Sequence, residues 1–184
     1  MPRVAVLLSV CQGDLYLPAQ LRSIAQQSGV DWQIHWRDDW PASPTTSMGR
    51  FIIDHGARMR PALPEPAEHL GVGASFLRLL ASVPEDVGFA AFADQDDVWL
   101  PDKLRRACDL LTQVPEGVPA MACGRQTLVD QALLPIGLSP LPTRRIGFRN
   151  AIVQNVATGC TIVLNRAARQ LVLDMPPPAG TLHD

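Results

Sequence analysis

The chain has 184 residues, 47% hydrophobic and 18% charged, enough apolar material for one domain with a buried core and too much for a disordered tail. A formal net charge of -2 excludes a surface built to coat nucleic acid, which needs clustered Lys and Arg. The four cysteines, at 11, 108, 123 and 160, lack zinc-type spacing and are too sparse for a disulfide scaffold, so reduced thiols and a cytoplasmic setting are expected.

Val4-Ala5-Val6-Leu7-Leu8 opens a continuous apolar strand over 3–10, the pattern of a strand buried on both faces of a parallel sheet. It is too short to cross a membrane, and no later stretch is long enough either, so work at a membrane would be done from its surface. Gln12-Gly13-Asp14 breaks the strand. Leu17, Leu21 and Ile24 then recur at helical spacing over 15–27. Trp32, Ile34 and Trp36 alternate with polar residues, a strand that ends at Asp38-Asp39. Helices are expected over 46–57 and 73–82, with a Pro-rich loop between them. Phe89-Ala90-Ala91-Phe92-Ala93 reads as a buried strand and 101–112 as a helix with Pro101 in its first turn. Beyond it, a strand over 120–129, a Pro-rich loop over 135–146, a strand over 161–164 and a helix over 166–173 are expected. Strands alternating with helices predict an α/β, Rossmann-like, mostly parallel sheet flanked by helices.

In such sheets ligands sit beyond the carboxyl ends of the strands. Three strands here end in polar or acidic residues: Ser9 to Gln12, Asp38-Asp39, and Asp94-Gln95-Asp96-Asp97. The last places three carboxylates in four residues. If that segment stays extended, Asp94 and Asp96 point the same way. Two carboxylates that close repel unless a cation intervenes, and a hard divalent ion such as Mn²⁺ or Mg²⁺ suits oxygen ligands while leaving coordination sites for substrate phosphates.

At these residues the sequence resembles family 2 glycosyltransferases of the GT-A fold, particularly bacterial rhamnosyltransferase-like members. The resemblance runs through Val4 to Gly13, through Trp36-Arg37-Asp38-Asp39, and through Ala93-Asp94-Gln95-Asp96-Asp97-Val98-Trp99-Leu100-Pro101-Asp102-Lys103-Leu104. It continues through Asn155-Val156-Ala157-Thr158-Gly159-Cys160-Thr161, Leu164-Asn165-Arg166 and His183-Asp184. Cys11-Gln12 stand where the family usually has Tyr-Asn, and Trp40-Pro41 where it has Gly-Ser.

What the resemblance implies is an inverting, metal-dependent transfer of a sugar, rhamnose by kinship, from a nucleoside-diphosphate donor. The acceptor would be a hydroxyl of a glycan or lipid-linked molecule, in polysaccharide synthesis at the inner face of the membrane. Residues 1–104 would form the nucleotide- and metal-binding half. Residues 105–184 would form an acceptor-side half that is expected to be incomplete at its C-terminus. Asp39 would accept a hydrogen bond from the base near Ser9 and Cys11. Asp96 would bind the metal directly, Asp94 would reach the ribose or the metal, and Gln95 would line the nucleotide site. Asp97 would cap the next helix or support the site. Asp184 would be the general base, with His183 beside it. Gly71 and Gly73 are expected near the nucleotide, Trp40 at the border of the donor site, and Arg144, Arg145 and Arg149 on a solvated face.

Three other readings compete. The early stop allows a nucleotide-binding module without turnover. Asp94-x-Asp96 after an apolar strand also fits the nucleophile motif of haloacid dehalogenase-type phosphatases, but these need a Lys well downstream, and the one Lys here, Lys103, lies on the helix that follows at once. His183-Asp184 alone suggests an HD-type phosphohydrolase, which the other histidines, 35, 55 and 69, do not complete.

Overall fold

The computed structural model describes residues 1–40, 46–62, 69–141, 147, 149, 153, 155–176 and 178. In chain order these form β1 (Arg3–Val10), α1 (Leu17–Ala25), β2 (Asp31–Asp38), α2 (Thr46–His55), β3 (Met59–Pro61), α3 (Val72–Ala81) and β4 (Phe89–Ala93). Then come α4 (Lys103–Leu111), β5 (Met121–Ala122), β6 (Thr127–Val129), β7 (Pro135–Leu138), β8 (Val163–Asn165) and α5 (Arg166–Asp174).

β1 is apolar on both faces because both faces are covered. Val4, Val6, Leu8 and Val10 pack with Leu17, Leu21 and Ile24 of α1 and with Leu104, Cys108 and Leu111 of α4. Ala5 and Leu7 point the other way, into a second cluster with Phe76, Leu79 and Leu80 of α3 and Ala168 of α5. The result is a sheet between two helical layers. Its strand order is β3-β2-β1-β4-β8-β5. β1 pairs in parallel with both β2 and β4, and β3 extends the parallel part beside β2. β8 runs antiparallel to β4 and to β5. This is the α/β sheet expected from the sequence, with an antiparallel edge that the sequence did not announce.

Two expectations fail in the C-terminal half. The strand over 120–129 is two short strands, β5 and β6, separated at 123–126 around Gly124. The Pro-rich stretch from 135 contains β7, which pairs antiparallel with β6 as a separate two-stranded sheet. Pro135 is tolerated because it opens a strand, where a missing N–H costs least. The strand expected over 161–164 begins two residues later, after a single 3₁₀ turn at Gly159–Thr161.

Buried polar side chains on α1 and just beyond its end hold the segment after β4. Gln27 donates to Leu100 O at 2.7 Å and accepts from Leu104 N at 3.1 Å, and Ser23 Oγ accepts from Trp99 N at 3.0 Å. Trp32 and Trp99 are core residues, and Trp36 packs partly buried against the same core. Among the described residues no helix is long and apolar enough to cross a membrane.

β2 also buries His35, whose Nδ1 lies 3.2 Å from Ser82 Oγ. Burial, with Arg60 and Arg169 nearby, lowers its pKa to about 4. The unfolded chain, with a His pKa of roughly 6.5, takes up the proton more readily than the folded one. The stability that neutral His35 supports is therefore complete above pH ~6.5 and is lost as pH falls towards 4, by up to about 3 kcal/mol. Urea unfolding at pH 7 and pH 4.5 should show this loss, and His35→Phe should flatten it.

Candidate functional site

The parallel pairing of β1 with β2 and β4 brings their carboxyl ends to one edge of the sheet. Val10 pairs with Asp38, Leu8 pairs with Ala93, and Asp39 N donates to Val10 O at 2.6 Å. The strand order reverses direction at β1, the position where open α/β sheets form their ligand crevice. Gln95 closes that crevice at its base. Its Oε1 accepts from Cys11 N at 2.9 Å and its Nε2 donates to Cys11 O at 3.0 Å. Gly13 makes room for this bracket, since a Cβ there would lie 2.3 Å from Gln95 Oε1. Gln12 takes a positive φ of 52°, turning the chain sharply after β1. Cys11, half-buried beside Asp39 and Asp38, has its thiol pKa raised by burial first and by those carboxylates second.

The acidic segment does not continue β4. The strand ends at Ala93 and residues 95–96 form a turn, so the extended geometry expected for Asp94 and Asp96 is replaced. The turn brings Asp97 beside Asp94: ligand atoms of Asp94, Asp97 and Cys160 lie within 4.8 Å of one another. Asp96 stays exposed at the corner of the turn. Cys160 arrives because β8 is antiparallel to β4, so the loop leading into β8 starts at the carboxyl end of β4; Phe92 N donates to Ile162 O at 3.2 Å.

Lys103 completes the cluster. Its Nζ donates to Cys160 O at 2.6 Å and sits 3.4 Å from the centroid of the Trp99 ring, a cation–π contact. Burial lowers the Lys103 pKa to about 7, against the pull of Cys160, Asp97 and Asp94. Burial raises that of Asp97, and the charges of Asp94 and Asp96 add to this, while the Cys160 thiol and Lys103 oppose it. The Cys160 thiol is pushed up by burial and by its hydrogen bond to Asp97, which makes it a poor nucleophile and a good brace.

Asp39 is buried, and its carboxylate holds together the wall of the crevice on the β2 side. Oδ1 accepts from Leu70 N at 2.9 Å and from the Arg37 guanidinium; Oδ2 accepts from Gly71 N at 2.9 Å and lies 2.9 Å from His69 Nδ1. Burial alone would raise its pKa. The N–H of Leu70, the Arg37 side chain and the N–H of Gly71 outweigh that and hold it below the usual carboxylate range. Gly71 has φ +79°, a conformation that favours glycine, and leads directly into α3. A chain of contacts continues from Arg37 through Ser75 Oγ, at 3.3 Å, to Ser9 Oγ at 2.7 Å. Trp40 is exposed, edge-on to His69 with centroids 5.2 Å apart.

The structure therefore gathers Ser9, Cys11, Asp39, Asp94, Gln95 and Asp96 on three neighbouring strand ends. Ser9 and Gln95 are bound into the scaffold of the crevice. Asp184, His183, Arg144 and Arg145 lie outside the described residues, and Arg149 is exposed. Sequence reasoning gave no individual site role to Arg37, Ser75, His69, Lys103 or Cys160. Arg37 had one signal: a cation inside an alternating strand, two residues from an aspartate.

The crevice can be compared with known proteins. No family model matches the chain. It is 29% identical over 133 residues to the dTDP-rhamnosyl transferase RfbG of Shigella flexneri, a match that covers 68% of this chain and 46% of that protein. The chain thus spans about half the length of this curated relative. A crystal structure of S. aureus TarS superposes with a TM-score of 0.50 at 17% identity, over 61% of this chain and 20% of that one. A structure of TarS residues 1–349 in complex with UDP-GlcNAc matches equally well, over 61% of this chain and 32% of that one. In fold the chain is of the GT-A type, and in sequence it is rhamnosyltransferase-like.

Two outcomes follow from the geometry. Gly13→Ala should dislodge Gln95 from Cys11 and cost about 1–3 kcal/mol in urea unfolding, with much of the loss absent when Gln95→Ala is the background. Lys103→Met should destabilise by about 1–3 kcal/mol, because it leaves Asp97 without its counter-charge. In the double-mutant cycle with Asp97→Asn, a coupling below about 0.5 kcal/mol would show that the two groups act independently.

Proposed function

We propose that this chain is the donor-binding part of an inverting glycosyltransferase, which moves a sugar from a nucleoside diphosphate to a hydroxyl of a glycan or lipid-linked acceptor. The observation that carries this reading is the convergence of Asp39, the Gln95–Cys11 bracket and the acidic turn on adjacent strand ends. Kinship supports it: one relative is named a dTDP-rhamnosyl transferase, and a TarS structure of the same fold holds UDP-GlcNAc. A rhamnose-type donor and a polysaccharide product, made at the cytoplasmic face of a membrane, are the specific form that this kinship suggests.

The acidic turn fits a hard divalent cation in one arrangement better than in another. Asp97 and Cys160 are already bonded to each other and balanced by Lys103, so that inner cluster acts as a brace. Asp94, which belongs to that cluster at the end of β4, and the exposed Asp96 at the corner of the turn are the carboxylates we assign to an incoming metal–diphosphate. Two carboxylates suit Mn²⁺ or Mg²⁺, which take the rest of their shell from phosphate and water. Once bound, such an ion offsets the charge of the departing nucleoside diphosphate.

The chain's own residues do the remaining work. Gln95 fixes the spacing between the β1 and β4 turns, so that base and diphosphate meet preset walls. Asp39, with Ser9 and Cys11 next to it, forms the base end of the crevice. Lys103 ties the acidic turn to the Gly159–Thr161 loop on the acceptor side, so movement of either would be felt by both. Asp184, carried over from the family resemblance, would take the proton from the acceptor hydroxyl as its oxygen attacks the anomeric carbon. One such base implies a single displacement with inversion and contributes about 10²–10⁴-fold in rate.

The test is a thermal-shift panel of UDP-, TDP- and GDP-sugars with and without Mn²⁺, since a ligand that binds the folded state raises its melting temperature. A metal-dependent shift is expected for one base class. Asp94→Ala and Asp96→Ala should each abolish it, whereas Asp97→Asn should lower the melting temperature but keep part of the shift. A full shift in Asp96→Ala would remove Asp96 from the ligand role. Nucleotide binding without sugar transfer, in a chain extended to the length of its relatives, would favour a binding module.

A further inference from the structure

An ionised carboxylate offers about four acceptor positions, two on each oxygen. In Asp39 three are taken by hydrogen bonds, from the Arg37 guanidinium and Leu70 N on Oδ1 and from Gly71 N on Oδ2, and the fourth, on Oδ2, is covered by the His69 ring, whose Nδ1 lies 2.9 Å away. Resting on the nucleotide reading above, this count poses a problem: a base that is to hydrogen-bond Asp39 needs one of those positions.

The four partners are not equally replaceable. Arg37 is buried, its side chain only 1% exposed, and loss of its contact would leave a charge stranded in the interior. Leu70 and Gly71 contribute backbone N–H groups fixed at the start of α3, with Gly71 at φ +79°. His69 is a side chain, 53% exposed, that can turn outward and give its nitrogen to water. Its ring stands edge-on to Trp40, itself exposed at the mouth of the crevice.

We propose that His69 is a placeholder. Its ring stands over the Asp39 acceptor position that the donor base takes on binding, and His69 swings out as the base enters. His69 Nδ1 is tethered to Asp39 O by a 3.0 Å hydrogen bond, so one ring guards both oxygens at the end of β2. The group that replaces it must itself donate a hydrogen bond from the ring edge. That selects bases with an imide-type N–H, uracil or thymine at N3 and guanine at N1. It disfavours cytosine in the same pose, whose N3 is an acceptor and would meet the carboxylate lone pairs. His69 thus acts as a specificity-determining residue that sets the threshold for entry, and the exposed face of Trp40 is left for the base to cover.

The experiment is calorimetric titration of UDP, TDP, GDP and CDP, with Mn²⁺, into the full chain and into His69→Ala and His69→Phe. Phe keeps an aromatic edge against Trp40 but has no donor. Removal of the imidazole tethered over Oδ2 should tighten the cognate imide-bearing nucleotide by roughly three- to tenfold in both variants and leave CDP unchanged. In the unmutated chain, the imidazole Nδ1–H resonance should lose its hydrogen-bonded shift when that nucleotide is added. If the unmutated chain binds a nucleotide but both variants bind it equally or more weakly, or CDP tightens as much, the placeholder role is overturned while the nucleotide reading stands. If no nucleotide binds any of the three proteins, the nucleotide reading itself falls, and the placeholder with it.

Discussion

The parallel pairing of β1 with β2 on one side and β4 on the other is the constraint on which the site depends. A strand apolar on both faces is stable only between two helical layers, and here α1 and α4 cover one face while α3 and α5 cover the other. With β1 fixed at the centre, the chain must leave β1, β2 and β4 at the same edge. The polar residues that end those strands are thereby forced together. Their mutual proximity is a consequence of core burial, and it costs the sheet little because it occurs where the backbone leaves the ladder.

Charge at that edge is handled in two ways. On the β2 side, Asp39 remains ionised in the interior because it is saturated with donors, two of them backbone N–H groups at the entrance to α3. On the β4 side, burial works against the charges: Asp97 is held up, Lys103 is held down, and the Cys160 thiol stays protonated between them. The first arrangement is rigid and committed. The second is nearly neutral inside and leaves the more exposed Asp96 to face whatever approaches. This difference suits the proposed role, in which one end would grip a neutral base and the other would meet a multiply charged diphosphate.

The division between halves is physical as well. Residues up to α4 follow regular rules: apolar alternation, helix spacing, and polar breaks after each strand. Beyond α4 the strands are short and the pairing turns antiparallel, with β6 and β7 forming a small exposed sheet of their own. That region contributes one essential element to the site, the 3₁₀ turn carrying Cys160, because β8 enters the main sheet beside β4.

By itself the sequence determined the α/β class, the central strand, the three polar strand ends and the acidic segment after β4. Each of these rests on local periodicity or on adjacency along the chain, which a single sequence displays. It did not foresee Asp97 beside Asp94, because that depends on whether residues 94–97 stay extended or turn. Only the tertiary structure decided this, and only it placed Lys103 against Cys160, Gln95 on Cys11, and His69 on Asp39. Those contacts join residues tens of positions apart, and their formation is set by strand order, strand direction and helix packing, none of which leaves a periodic trace in the chain.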